Sequence, residues 1–162
     1  MIVPLHHQNK ETAEQIRDVQ IPAYQVEAEL IGFDGIPALH ETTEQLMQSG
    51  ETFYGYRKDG KLAGVVAFET GENEDQAARA NQIQITRLVV RPDCFRQGIA
   101  GELLRFVLAL HGDETRYAVH TGAKNRPAIQ LYEKYGFVLA GEREVAPDFY
   151  LAELIKEGGA SR

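Results

Sequence analysis

One stretch of this chain leaves little freedom in how it can fold. Ile83, Ile85, Leu88, Val89 and Val90 form an apolar run with partial alternation, which reads as a strand. Arg91-Pro92 ends it, because proline cannot donate to a strand ladder. From Gly98 to Leu110 the apolar period changes. Ile99, Leu103 and Val107 make one row and Leu104 and Leu108 the next, as on a helix. A strand, a short turn and a helix this apolar belong to a layered fold, with the helix pressed against a sheet.

The flanking segments extend that layer. Residues 52–70 read as a hairpin: Phe53, Tyr54 and Tyr56 lead into Lys58-Asp59-Gly60-Lys61, and Leu62 to Phe68 return. Asp-Gly supplies the positive φ angles of a tight hairpin turn. Residues 115–121 read as a strand. Asn125 to Tyr135 read as a helix with Asn125 as N-cap, Pro127 in the first turn and Gly136 as the stop. Phe137 to Ala140 and Phe149 to Ile155 read as two closing strands, and 71–80 as a polar loop. The first 50 residues read mainly as helix, about 9–30 and 41–49, broken at Gly32, Gly35 and Pro37. Their apolar face is ragged: Ile16, Val19 or Gln20, Ala23, and Val26 or Glu27. The expectation is an α/β (α+β) fold in one domain, 1–162, with a mostly antiparallel twisted sheet and a β-α-β-α unit near its middle.

Charge and composition exclude several functions. With 43% hydrophobic and 25% charged residues the chain is an ordinary folded globule. Its net charge of −7 argues against nucleic-acid binding, which needs clustered cations, and mildly favours cationic or neutral substrates. No apolar run is long enough to span a bilayer, and the start lacks a signal-peptide pattern. The single cysteine, Cys94, excludes an internal disulfide and fits a cytoplasmic location. His6 and His7 lack further ligands at metal spacing, so no metal is expected. Gly55-Tyr56-Arg57-Lys58-Asp59-Gly60-Lys61-Leu62 comes close to a nucleotide-triphosphate loop. It has Leu62 where magnesium needs Ser or Thr, and it lies on a hairpin.

The turn before the 98–110 helix carries the chemistry. A helix N-terminus offers unpaired N–H groups and partial positive charge, which suit an anion. Gly98, Ala100 and Gly101 are small enough for a phosphate to approach the backbone, and Arg96 adds a charge. The same small residues also suit tight helix–strand packing, and spacing alone supports both readings.

In its wider context the stretch resembles the cofactor motif of the GNAT acetyltransferase superfamily: Gln or Arg, two residues, Gly, one residue, then Gly or Ala, after a strand ending in Val-x-Pro. Gly98 and Ala100 take the small positions and Val90-Arg91-Pro92 the strand end. Phe95 stands where the family usually has Gln or Arg. A second segment, Asn125-Arg126-Pro127-Ala128-Ile129-Gln130-Leu131-Tyr132-Glu133-Lys134-Tyr135-Gly136-Phe137, resembles the family's Asn-x-x-Ala-x-x-Leu-Tyr-x-x-x-Gly-Phe helix. The resemblance covers residues 52–155 and is weak over 1–50.

The resemblance implies a sheet whose central strands splay to admit pantetheine, and an acetyl group moved from acetyl-CoA to a primary amine in a ternary complex. It assigns the pyrophosphate to amides of Arg96, Gln97, Gly98, Ile99, Ala100 and Gly101. It assigns the pantetheine arm to the backbone of Val89 and Val90 and to Asn125. Tyr132 falls where the family has a phenol beside the thioester sulfur, and a phenol pKa of about 10 suits protonation of a leaving thiolate. The family's usual glutamate base, eight residues before the proline, is here Gln84, which can orient a water but not take a proton. His120, Glu69, Glu41 and His40 are the alternative bases, beside a proton relay through water. The acceptor is a small-molecule or peptide amine, and homodimers are common in the family. The competing readings are an acyl-CoA-binding regulator without catalysis and an acyltransferase with another acyl donor.

Overall fold

The computed structural model describes residues 1–33, 35–71, 82–112 and 114–158. The polar loop expected at 71–80 therefore lies almost wholly outside the described residues. Seven strands hydrogen-bond in the order β1-β2-β3-β4-β5-β7-β6. They are β1 (Ile2–Leu5), β2 (Thr52–Lys58), β3 (Lys61–Gly71), β4 (Gln82–Val90), β5 (Arg116–Gly122), β6 (Val138–Ala146) and β7 (Phe149–Lys156). The helices are α1 (Lys10–Ile31), α2 (Thr43–Met47), α3 (Ile99–His111) and α4 (Arg126–Lys134). The β4 and β5 strands pair in parallel, joined through α3. The β1–β2, β5–β7 and β6–β7 pairs are antiparallel.

The chain forms two compact units, Met1–Ala67 with Arg87–Leu104, and Phe68–Thr86 with Arg105–Arg162. In the first, Ala13, Ile16 and Val19 of α1 and Leu46 of α2 pack with Phe53, Leu62, Val65, Ala67 and Val89. At Gly64 a Cβ would lie 2.9 Å from Ile99 and 3.1 Å from Leu103, so α3 starts flush against β3 and any side chain there must push its neighbours aside. The Asp59-Gly60 turn has φ 54° and 80°, as the hairpin reading requires. In the second unit, the buried Tyr117 of β5 donates its hydroxyl to the Leu108 and Gly112 carbonyls, and Phe68 packs edge-on against His111.

The N-terminal reading needs correction. Residues 2–5 are a strand. Its Pro4 sits on the outermost strand of the sheet, where a missing N–H costs little. The second helix spans only Thr43–Met47, after a 3-10 turn at Pro37–His40. Val26 is exposed and Pro22 lies inside α1, which accounts for the ragged face. The sixth strand runs on from Ala140 to Ala146.

Candidate functional site

In the first unit, β4 ends at Val90 and Pro92–Cys94 form one 3-10 turn. Arg96 and Gly98 then both take positive φ, 67° and 79°. Two left-handed residues one apart make a sharp turn into the helix, the kind of backbone from which anion-binding concavities are built. The Glu102 amide bonds to the Gly98 carbonyl at 3.0 Å, so the amides of Ile99, Ala100 and Gly101 stand ahead of the helical ladder. Arg96, Gln97 and Gly98 are exposed, and Phe95 is 43% exposed. Val89 and Val90 are buried. The Lys58 ammonium donates to the Gln97 side chain. The Cys94 thiol is pushed up, first by burial and then by Asp93 beside it, the reverse of a reactive thiolate.

The same unit holds a charged cluster that the sequence did not reveal. Arg87 of β4 donates from Nε and Nη2 to Glu51 (2.9 and 2.8 Å), from Nη1 and Nη2 to Glu41 (2.7 and 2.9 Å), and from Nη1 to Gln20 (2.9 Å). All five guanidinium N–H groups are thus used. Its head lies 5.3 Å from the Phe53 ring centre. Burial alone would raise the Glu41 carboxyl. The hydrogen bonds from Arg87 and Gln20, with the Arg87 charge, outweigh that and hold it below the usual carboxylate range. Glu41 is therefore a fixed anion gripped by a cation, and not a ready proton acceptor. His40 is exposed at the end of its 3-10 turn. Burial, foremost, pushes the Tyr24 phenol well above its ordinary value.

In the second unit, Asn125 caps α4: its Oδ1 accepts the Ala128 N–H at 3.2 Å, and its Nδ2 donates to Thr121 at 3.4 Å. Tyr132 is buried on α4, its ring 5.4 Å from that of Phe137 at 60°. Gln84 and His120 come together, Gln84 Nε2 lying 3.3 Å from His120 Nδ1. On the other side of the ring, His120 Nε2 lies 3.7 Å from Glu153. Glu69 is exposed on β3. Glu153 escaped the sequence reading because its link to His120 is a cross-strand register, which no local pattern encodes. Among the described residues no group of three or more His, Cys, Asp or Glu is placed to hold a metal ion, and no helix is long and apolar enough to cross a membrane.

Comparison with known proteins follows the same lines. The model of the acetyltransferase (GNAT) family matches residues 13–137. A UPF0157 protein, YqkA of Bacillus subtilis (strain 168), is 43% identical over 152 residues, which are 94% of this chain and 42% of that protein. The chain thus spans less than half of that relative's length. Among solved structures, a histone acetyltransferase HPA2 and related acetyltransferase from Corynebacterium glutamicum superposes with a TM-score of 0.73 at 18% identity, over 99% of this chain and 97% of that one. The PaiA N-acetyltransferase of Thermoplasma acidophilum, in complex with coenzyme A, superposes with a TM-score of 0.69 at 16% identity, over 97% and 99%.

Proposed function

The chain belongs to the GNAT acetyltransferase family, and from that premise we propose that it moves an acetyl group from acetyl-CoA to a primary amine by direct attack. One observation carries the reading: the left-handed Arg96 and Gly98 followed by the leading amides of α3, an anion cradle on the family's phosphate motif. The coenzyme A bound to the Thermoplasma relative supports the same co-substrate. The backbone of residues 96–101 takes the pyrophosphate. The backbone at Val89 and Val90, with Asn125, takes the pantetheine arm. The joint service of the two motifs to one co-substrate rests on family membership.

The chemistry follows from proton balance. An acceptor ammonium gives one proton to His120 Nδ1. Its freed lone pair forms the N–C bond, and the C–S bond breaks. The thiolate takes the Tyr132 proton, and the second proton from nitrogen restores the phenol through solvent. His120 returns its proton to water. Gln84 cannot take a proton, but as the amine displaces its N–H from Nδ1, its carbonyl accepts a hydrogen bond from the substrate nitrogen. The acceptor is a small-molecule or peptide amine in a reducing, cytoplasm-like compartment.

A panel of amines, with thiol release from acetyl-CoA followed colorimetrically, tests this. Acceptor-dependent release is expected. A flat panel would contradict transfer and favour the acyl-CoA-binding regulator, whose supporting feature is Gln84 in place of the usual acid. Longer acyl-CoAs in the same panel test the other donor.

A further inference from the structure

Strand β5 alternates Tyr117, Val119 and Thr121 on one face with Ala118, His120 and Gly122 on the other. Tyr117 bonds to the end of α3, so His120 faces away from that helix. Two neighbouring strands present side chains to its ring. The register between β4 and β5 covers Gln82↔Arg116 to Ile85↔Val119, so His120 is the first β5 residue past the last of those pairs. On β7, Glu153 stands directly opposite His120.

The contacts assign the ring's tautomer. The Gln84 amide N–H donates to Nδ1, leaving that nitrogen as acceptor and placing the ring proton on Nε2, toward Glu153. Glu153 lies 3.7 Å from Nε2, longer than a hydrogen bond but close enough to act on a proton carried by that nitrogen. Among the described residues, the neighbouring strands present few charged groups on this face. The paired stretch of β4, Gln82 to Ile85, has none; β7 offers Glu153; and Arg143 of β6, opposite Leu151, lies one same-face step from Glu153.

We propose that Glu153 is a positioning residue for His120. Together with the Gln84 N–H on Nδ1 it favours the Nε2–H tautomer, and its carboxylate sits where it stabilises the imidazolium formed when the acceptor's proton arrives on Nδ1. The carboxylate that many family members carry on β4 is here supplied from β7 and acts through the ring. The proposal rests on the acetyltransfer reading.

Nitrogen-15 NMR of the imidazoles in the full chain tests it, because the shifts report tautomers without any acceptor. The wild type is expected to show His120 as the Nε2–H tautomer, and Glu153→Ala to show a mixture with Nδ1–H. With the fastest amine of the panel, Glu153→Gln is expected to lower kcat about tenfold and leave the KM for acetyl-CoA unchanged. Glu153 is half-exposed, so both variants should fold. Identical imidazole shifts in wild type and Glu153→Ala, or an unchanged kcat, overturns the proposal alone. If the wild type has no amine-dependent turnover, the acetyltransfer reading falls, and the catalytic role of Glu153 falls with it.

Discussion

At Gly98 a Cβ would meet nothing within 4 Å, yet the backbone stands at φ 79°. Replacement there acts through conformation and not through collision. Gly98→Val must either bear strain of about 1–3 kcal/mol or let the turn relax, and relaxation re-aims the amides of the cradle. Borne as strain, that lowers the melting temperature by about 2–12 °C, and acetyl-CoA affinity is expected to fall about tenfold by calorimetry. Tyr132 makes the complementary case. Tyr132→Phe keeps the ring against Phe137 and removes only the hydroxyl. The expected result is a kcat lowered about 10- to 100-fold with acetyl-CoA affinity little changed, read from turnover and calorimetry. An equal loss of affinity would make the phenol a binding group rather than an acid.

Between elements, the dominant tie of the first unit is Arg87. Its fork joins β4 to Glu41 before α2, to Glu51 before β2, and to Gln20 of α1. The side chains of Arg87 and Glu51 are only 11% and 9% exposed, so a lost partner leaves a desolvated charge. Arg87→Ala is expected to cost about 3–5 kcal/mol in denaturant unfolding, and Arg87→Lys to recover only part, because an ammonium lacks the fork. The pH dependence follows from Glu41. Its folded carboxyl is held low, so its contribution is full above the unfolded value of about 4.3 and is lost as pH falls through the folded one. Glu41→Gln should flatten that acid limb of a stability-against-pH curve. An unchanged limb would assign the acid loss to other carboxylates. None of this was legible in sequence. Gln20 looked like a flaw in an apolar face, and it is buried because it completes the Arg87 network. The β4-turn-α3 unit was legible because one short stretch carries both periods and the proline between them. Strand β1 was not, since four residues with a proline inside give no periodic signal.

For the whole molecule, the net charge of −7 bears on the acceptor. A field of that sign concentrates cations, and salt screens it over a Debye length of about 8 Å at physiological ionic strength. The KM for a diamine should therefore rise between 50 and 500 mM salt more steeply than that for an uncharged hydroxylamine-type acceptor; parallel curves would mean that the field plays no part. The candidate cofactor residues were legible because backbone cradles depend on glycine and turn chemistry, which sequence records. The groups proposed around the proton transfer were only half legible. Gln84 and His120 could be named, but their contact and Glu153 beyond them depend on strand register.

The acetyl-CoA cradle at the start of α3 is open to calorimetric titration of the full chain with acetyl-CoA, with adenosine diphosphate as control and Gly98→Val alongside. The expected result is micromolar binding by the wild type, much weaker binding of the diphosphate alone, and about tenfold loss in the variant. No heat at millimolar acetyl-CoA, or equal affinity for wild type and Gly98→Val, would contradict it.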